Sequence, residues 1–395
     1  MPRFEPFAAL RYAPDLAPLA DLTSPPYDVL SDADRARFAS LHPANFVVID
    51  LPVESDGADR YDIASETLSE WIAAGVMRLD ESPSFTLYRM SFTDEAGRER
   101  QTVGVIGALE VVDEGAGGVL PHERTTPKAK TDRLDLTRAT ESNLSPVWGL
   151  STAPGLTELL LPAGEPVGSL VADGVTHSVE RIADPARLAA ISAAVGSHPV
   201  VIADGHHRYA IARTYRDEVR ALSGSTDTSA ELTMSYVGEL IADQLSIDAI
   251  HRLYTGVDAS TLLGRFGRFF ELSPAGQVTA EFSAETVALG ALCFVDADGS
   301  GTWMIPKAAA FDGVRALDGA YLEHALEGSD VDVTYQHGVA NVLDSVRSGA
   351  AAAGVLIRPT GIEEIRRTAD EGTLMPPKST FFTPKLRSGL VVRPL

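Results

Sequence analysis

The pattern of apolar and polar positions along the chain predicts an alternation of helices and strands. Helical spacing runs over residues 32–40, 61–74 and 185–195, and Ser31 is placed to cap the first of these helices. Apolar or alternating runs predict strands at residues 46–51, 85–92, 102–111, 146–152, 167–171, 176–182 and 232–240. We therefore expect an α+β fold.

The most informative stretch is VVIADGHHRYAIAR at residues 200–213. An apolar run over residues 200–203 predicts a short buried strand, Asp204 and Gly205 break it, and helical spacing then continues to about residue 218. A strand, a tight glycine turn and a helix start bind anions, because the first-turn N–H groups and the helix dipole both point at the ligand. The predicted first turn carries His206, His207 and Arg208, which add donors to a phosphate.

A simpler interpretation of this stretch stays open. Asp204 would then be only a helix N-cap, and the two histidines would be polar surface residues. No metal site is expected there, because adjacent helix positions point in different directions and cannot share one zinc ion.

The net charge restricts the partners. The chain carries 55 acidic and 33 basic residues, a formal net charge of −22. This field repels nucleic acid and anionic membranes, so we expect neither as a partner. No apolar run is long enough for a membrane span, the first residues lack a signal-peptide pattern, and the single cysteine, Cys293, lies in an apolar run typical of a buried thiol. We expect a cytoplasmic protein.

Two islands of basic residues interrupt the acidic background. Residues 376–395 contain Lys378 and Lys385 on a proline-fixed segment and no acidic residue, and residues 121–138 contain Lys128 among other basic side chains. A shared phosphate-binding role would account for both islands. A basic surface tail is the alternative for each of them.

The polar stretch that begins at His122 and Glu123 is the candidate for acid–base chemistry. It follows a glycine-rich hinge, DEGAGGV at residues 113–119, whose composition suggests a loop able to close over a ligand. A single carboxylate beside histidine, arginine and lysine suits a general base or a magnesium ligand. A solvated loop is the alternative. We interpret Asp28 and Asn45 as turn or cap residues, and a role in the site is the alternative for both.

The chain is long enough for two or three domains. We place an N-terminal α/β unit at residues 1–112, a core with the polar loop and the DGHHR turn at residues 113–260, and a C-terminal α/β region at residues 261–395. His251 and Arg252 fall on a predicted short helix or loop at residues 246–254. No motif is visible between residues 259 and 334.

The stretch DGHHRYAIA resembles the signature of the ParB/sulfiredoxin superfamily, in which such a segment opens a helix and holds nucleotide phosphates. The match runs from Asp204 to Tyr209 and is nearest to the ParB-like free serine kinases. Sulfiredoxin chemistry is set aside, because His206 stands where its nucleophilic cysteine would be. The whole chain resembles the bacterial and archaeal family named domain of unknown function ten-fifteen, through its SPPYDV, LPHE-T, DRL, NLSP, DGHHRY and PPKSTFF-PKL elements.

The resemblance implies a ParB-like core with further α/β elements on both sides. It also implies a nucleotide-dependent phosphotransferase that uses ATP or ADP with Mg²⁺ and acts on a small hydroxyl substrate, L-serine first. The implied catalytic residues are Glu123 as the base, with His122 and Asp204. The implied nucleotide- and phosphate-binding residues are Gly205, His206, His207, Arg208, Lys128, Lys378 and Lys385.

Two other functions use the same residues. One is a nucleotide-binding regulator without transfer chemistry, which fits a protein partner better than DNA because the chain is acidic. The other is a nucleotide or phosphoester hydrolase, in which water replaces the hydroxyl substrate. The sequence leaves these alternatives, the choice of nucleotide and the oligomeric state open.

Overall fold

The fold is that of a computed structural model, and the structure describes residues 1–55, 57–94, 97–123, 130–280 and 282–395. The chain divides into two compact units. Unit 1 comprises Met1–Ser246 and Pro384–Leu395, and unit 2 comprises Ile247–Thr383. The C-terminal residues thus return to the unit in which the chain begins. No helix in the described residues is both long enough and apolar enough to cross a bilayer.

Unit 1 contains most of the regular structure. Its strands are β1 (Phe4–Glu5), β2 (Leu10–Tyr12), β3 (Met77–Leu79), β4 (Phe85–Thr93), β5 (Glu99–Glu110), β6 (Val119–Pro121), β7 (Ser142–Asn143), β8 (Val147–Ser151), β9 (Glu165–Ala172), β10 (Val175–Ile182), β11 (Val200–Asp204) and β12 (Leu232–Glu239). Its helices are α1 (Leu19–Leu22), α2 (Asp32–Leu41), α3 (Val47–Asp50), α4 (Arg60–Ala73), α5 (Lys130–Thr140), α6 (Leu156–Leu160), α7 (Pro185–Val195) and α8 (His206–Ser223).

A nine-stranded mixed sheet forms the centre of unit 1. Its strand order is β6-β11-β8-β12-β5-β4-β10-β9, and β1 pairs with β5 as well. Two of its pairs are parallel, β6 with β11 and β8 with β12. Short two-stranded sheets join β2 to β3, and join β7 to the terminal strand Arg393–Pro394. The mixed α and β architecture agrees with the sequence prediction, whereas the ParB-like nature of the core stays a prediction.

Apolar side chains from the sheet and its flanking helices form the core of unit 1. One cluster joins the sheet to α6 and α7, and includes Leu87, Ile191 and Ile202. A second cluster joins α3, α4 and α5, and includes Phe46 and Leu136. The chain boundary predicted at residue 112 falls inside this unit, because β5, which precedes it, pairs along its length with β12, which follows it.

Unit 2 is a second α/β body. Its strands are β13 (Ser246–Asp248, whose first residue belongs to unit 1), β14 (Ile250–Thr255), β15 (Phe270–Gln277), β16 (Leu292–Val295), β17 (Ser300–Pro306), β18 (Asp332–His337), β19 (Ala353–Leu356) and β20 (Phe381–Thr383). Its helices are α9 (Ala259–Phe266), α10 (Ser283–Leu289), α11 (Asp318–Leu326), α12 (Val339–Arg347) and α13 (Ile362–Asp370).

An antiparallel six-stranded sheet organises unit 2. Its order is β15-β17-β16-β19-β14-β18, and β13 pairs separately with β20. Phe266, Phe270 and Phe294 pack edge to face in its core. Cys293 is fully buried, and burial raises the pKa of its thiol to about 12, so the expected buried, unreactive thiol is confirmed.

Helix starts were predicted well where a capping residue next to the helix is visible in the sequence. Ser31 caps α2 through a capping box, since its Oγ accepts from the Asp34 N–H at 3.1 Å and the Asp34 carboxylate accepts from the Ser31 N–H at 3.2 Å. Two predictions were wrong. Residues 46–51 contain helix α3, whose start is held by Asn45 Oδ1, and residues 246–254 form strands with His251 and Arg252 buried. Short apolar runs do not reveal their period, which explains both errors.

At one position in the sheet of unit 1, only glycine leaves room for a neighbouring buried ring. A Cβ on Gly104 in β5 would lie 2.3 Å from the ring of Tyr236, which is fully buried on the neighbouring strand β12. We expect Gly104→Ala to lower the free energy of unfolding by about 2 kcal/mol, because a buried ring has little room to move. Gly264→Ala in α9 has no atom within 4 Å of its new Cβ, and it should leave stability unchanged or slightly raised. Chemical denaturation of the two variants measures the difference, and equal midpoints would contradict this packing argument.

Candidate functional site

The parallel pair β6 and β11 brings two distant polar segments together. Both strands end at the same edge of the sheet, with Pro121 opposite Ile202, so that His122 and Glu123 follow β6 just where the DGHHR turn follows β11. The His122 N–H donates to Nε2 of His206 at 3.4 Å, and the two rings lie edge to face with centroids 4.7 Å apart. The structure therefore joins the candidate acid–base loop to the candidate anion site.

Helix α8 begins at a glycine in the left-handed region. Gly205 has φ 85° and ψ 29° and occupies the N-cap position, with no side-chain hydrogen bond to the cap. Asp204 therefore does not cap the helix, which removes the simpler interpretation of that residue. The eighteen-residue helix directs the positive end of its dipole to this turn.

The carboxylate of Asp204 lies between two cations. Its Oδ2 accepts from Arg208 Nη2 at 2.7 Å, and its Oδ1 accepts from Lys385 Nζ at 3.0 Å. Burial by itself would raise the pKa of Asp204, but Lys385 and Arg208 outweigh it and hold the pKa below the usual range. Asp204 is thus ionised at any physiological pH, and it ties the C-terminal segment to the start of α8.

The guanidinium of Arg208 forms most of its contacts with other groups of the protein. Its side chain is 9% exposed, Nη1 donates to the Pro146 carbonyl, Nη2 is taken by Asp204, and Asp28 lies 3.9 Å away. The guanidinium also folds back over Gly205, where a Cβ would lie 3.0 Å from its carbon atom. These contacts fit a residue that holds the strand–helix turn closed. The expectation that Arg208 contacts phosphate oxygens stays a prediction.

His122 is a buried, neutral imidazole. Its Nδ1 bonds to the Ile202 carbonyl at 2.5 Å, and because a carbonyl only accepts, Nδ1 carries the proton. Burial lowers the pKa of His122 to about 4. The side chain is fully buried, and the predicted catalytic role of His122 stays a prediction.

Only some of the remaining predicted site residues lie near the start of α8. Glu123 is half-buried directly after His122, and His206 and His207 lie in the first turn of α8, also half-buried. Lys128 lies outside the described residues. Lys378 belongs to unit 2, with a positive φ of 58°, and its proposed part in this site of unit 1 stays a prediction.

The glycine-rich hinge starts at residues that α8 holds in place. The Tyr209 hydroxyl donates to the Glu110 carbonyl and accepts from the Val112 N–H, both at 2.9 Å. Arg216 pairs with Asp113 at 2.5 Å. Any closing motion of this loop would therefore begin after Asp113. The predicted closure itself stays a prediction.

A pocket between α5 and α8 contains residues that the sequence analysis missed. Its empty volume is about 580 Å³. It is lined by Tyr27, Asp50, Arg133, Leu136, Thr137, Ser142, Asn143, Leu144, Ser145, Arg208, Ile211, Ala212, Tyr215, Ala230, Leu232, Thr233 and Leu395. An aspartate at the end of the apolar run FVVID was the available signal, because a charged residue in such a run must be paired or functional when it is buried.

Asp50 and Arg133 form the buried charged part of this pocket. Asp50 is 2% exposed, and burial raises the pKa of its carboxyl while Arg133 acts in the opposite direction. Arg133 Nη1 donates to the Asp50 carbonyl, and its guanidinium lies 4.0 Å from the centroid of the Tyr27 ring. These contacts fix the start of α5 against the end of α3.

Among the described residues, no group of three or more His, Cys, Asp or Glu side chains is placed to hold a metal ion.

The comparisons with known proteins identify the family. A family model described as "Protein of unknown function (DUF1015)" matches residues 4–320. The chain belongs to this family. A search of curated proteins found no match.

Several solved structures are distantly similar to the chain. A conserved hypothetical protein from Pyrococcus furiosus has 13% identity and a TM-score of 0.38, over 67% of this chain and 87% of that one. A free serine kinase in complex with AMP has 14% identity and a TM-score of 0.38, over 67% and 84%. SbnI with a C-terminal truncation, from Staphylococcus aureus, has 13% identity and a TM-score of 0.38, over 71% and 84%. At these scores the similarity carries no argument about mechanism or substrate.

The sequence elements by which the chain resembles the DUF1015 family converge on this site. SPPYDV supplies Tyr27, DRL supplies Arg133, and NLSP supplies the Pro146 carbonyl that binds Arg208 of DGHHRY. PPKSTFF-PKL supplies Lys385, which binds Asp204. Residues of unit 1 that are far apart in sequence thus meet around Arg208.

Alanine substitution tests whether the site needs glycine at residue 205, and Gly224 at the other end of α8 is the matched control. Gly205 and Gly224 stand at the two ends of α8, both with positive φ, but only Gly205 has a close neighbour, the Arg208 guanidinium. Both alanine variants should lose roughly 1–2 kcal/mol of unfolding free energy for the left-handed backbone. Gly205→Ala should lose more, since Arg208 must also move. Denaturant unfolding measures the loss of unfolding free energy in each variant. An equal loss would show that the Arg208 side chain can move away from the new Cβ at no cost in stability.

Burial of neutral His122 predicts a pH dependence of stability. Its folded pKa lies below its unfolded value of 6.5, so its contribution is complete above pH 6.5 and is lost as the pH falls towards 4. Between pH 7.5 and pH 5 the wild type should lose about 2 kcal/mol more unfolding free energy than His122→Asn. His177 and His251, whose pKa values burial also lowers to about 4, remain in both proteins and cancel. Parallel pH slopes for the two proteins would contradict the buried neutral state.

Proposed function

We propose that this chain is a nucleotide-dependent phosphotransferase of the cytoplasm that acts on a small hydroxyl substrate, with L-serine as the first substrate to test. The observation that carries the proposal is the meeting of Glu123 and His122 with the start of α8 at one sheet edge. An anion site and a carboxylate base at one point are the two parts that phosphoryl transfer to an alcohol requires.

The start of α8 is the proposed phosphate site. Gly205 allows close approach of the backbone, and the helix dipole favours the negative charge of a phosphate. His206, His207 and Lys385 add donors around this point. ATP or ADP is the proposed nucleotide, with Mg²⁺ bound to its phosphate oxygens, where the ion would neutralise charge as the phosphoryl group leaves.

Glu123 is the proposed general base. Its carboxylate would accept the proton of the substrate hydroxyl as the hydroxyl oxygen attacks the terminal phosphorus. The bond from that phosphorus to the bridging oxygen breaks, and the nucleotide leaves with one phosphate fewer. His122 positions Glu123 through its buried contact with the Ile202 carbonyl. Asp204 and Arg208 position the turn, since their pairing closes it.

The decisive experiment is phosphorus NMR of the purified protein with Mg²⁺, ATP or ADP, and L-serine. A phosphomonoester signal that requires serine is the expected result. Release of inorganic phosphate at the same rate without serine would indicate a hydrolase. Line broadening of the nucleotide without any product would indicate a regulator without transfer chemistry.

Substitution of Glu123 tests the proposed base. Glu123→Gln keeps the shape but cannot accept the proton, so turnover should fall by at least 10²-fold while nucleotide affinity stays within about twofold. Glu158→Gln, an exposed carboxylate of α6, is the matched control and should retain turnover. An active Glu123→Gln variant would rule out Glu123 as the base.

A further inference from the structure

The pocket between α5 and α8 has charged side chains at one end only. Near the starts of α5 and α8, Arg133 and Arg208 line the pocket together with Asp50. Further along both helices Arg138 of α5 pairs with Glu218 of α8, so the two helices run in the same direction. The lining beyond the first turns consists of uncharged side chains, among them Asn143 and Tyr215. The pocket therefore changes from charged to uncharged along α8.

The charged end of the pocket lies at the proposed phosphate site. Arg208 lies in the first turn of α8 and lines the pocket, and Ile211, Ala212 and Tyr215 continue along the same face of the helix. Seven residues of helix span about 10 Å. A ligand whose anionic end is held at Gly205 would extend its remaining part along this face.

Two buried polar atoms at the charged end form no well-oriented hydrogen bond with the part of the chain that the structure describes. They are Oδ2 of Asp50 and Nε of Arg208. The Ser388 hydroxyl lies within hydrogen-bond reach of the Asp50 carboxyl, and this contact lowers the pKa of Asp50. Buried polar atoms are rarely left unpaired, so such a pair indicates a missing partner. A hydroxyl group suits it, because it donates to a carboxylate and accepts from a guanidinium.

We propose that this pocket holds the nucleoside of the phosphate donor, a proposal that rests on the proposed function. The sugar hydroxyls lie beside Asp50 and Arg208, and the base lies further along α8. There Leu136, Ile211 and Leu232 provide apolar walls, and Asn143 and Tyr215 provide polar groups for its edge. The order of phosphate, sugar and base matches the change from charged to uncharged lining.

The test compares a nucleotide with a phosphate chain that has no nucleoside. Isothermal titration with Mg²⁺ measures the affinity of the full-length protein for ATP and for inorganic tripolyphosphate. Ala212→Leu adds bulk to the pocket wall and should weaken ATP binding at least tenfold, while tripolyphosphate binding stays within twofold. Ala210→Leu, a half-buried alanine of α8 outside the lining, is the matched control and should leave both affinities within twofold.

A second variant guards against a folding artefact. Tyr215→Ala removes a pocket side chain instead of adding one, and it should weaken ATP at least threefold without affecting tripolyphosphate. Circular dichroism and the unfolding midpoint confirm that each variant is folded. Unchanged ATP affinity in both folded pocket variants, or an equal loss for ATP and tripolyphosphate, would overturn the nucleoside site while the proposed function stands. A wild type that binds neither ATP nor ADP would overturn both.

Discussion

The start of α8 depends on one charge interaction, the carboxylate of Asp204 held between Arg208 and Lys385. A buried carboxylate is costly unless it is paired, and here each oxygen has its own cation. The same interaction folds Arg208 over Gly205 and brings residue 385 to residue 204. Loss of either cation would leave one carboxylate oxygen of Asp204 without its partner, which couples the turn and the helix start to the C-terminal segment.

The second constraint is the parallel pairing of β6 with β11. It places Glu123 next to the DGHHR turn, although the two segments are far apart in sequence, and it buries His122 against the Ile202 carbonyl. The catalytic proposal therefore depends on sheet topology more than on any single side chain. The pocket lies between α5 and α8, two helices that the ion pair of Arg138 with Glu218 joins.

Several parts of the site were visible in the sequence because their signals are local. The DGHHR turn was recognisable because an apolar run, a glycine and a helical spacing follow one another within a few residues, and the bounds of α7 were predicted for the same reason. Helix α3 was not, since a four-residue buried helix and a buried strand have the same apolar composition. Asp50 was overlooked with it.

The sequence by itself determined the family, the mixed α and β composition and the strand–glycine–helix turn, because motifs and periodicity act over short distances along the chain. Only the tertiary structure decided that Asp204 binds Lys385 and Arg208 rather than capping α8, and that the C-terminal residues return to unit 1. Only the tertiary structure also decided that Asp50, Arg133 and Tyr27 line a pocket beside Arg208. These pairings join residues far apart in sequence, and no local pattern encodes which distant partner will neutralise a buried charge.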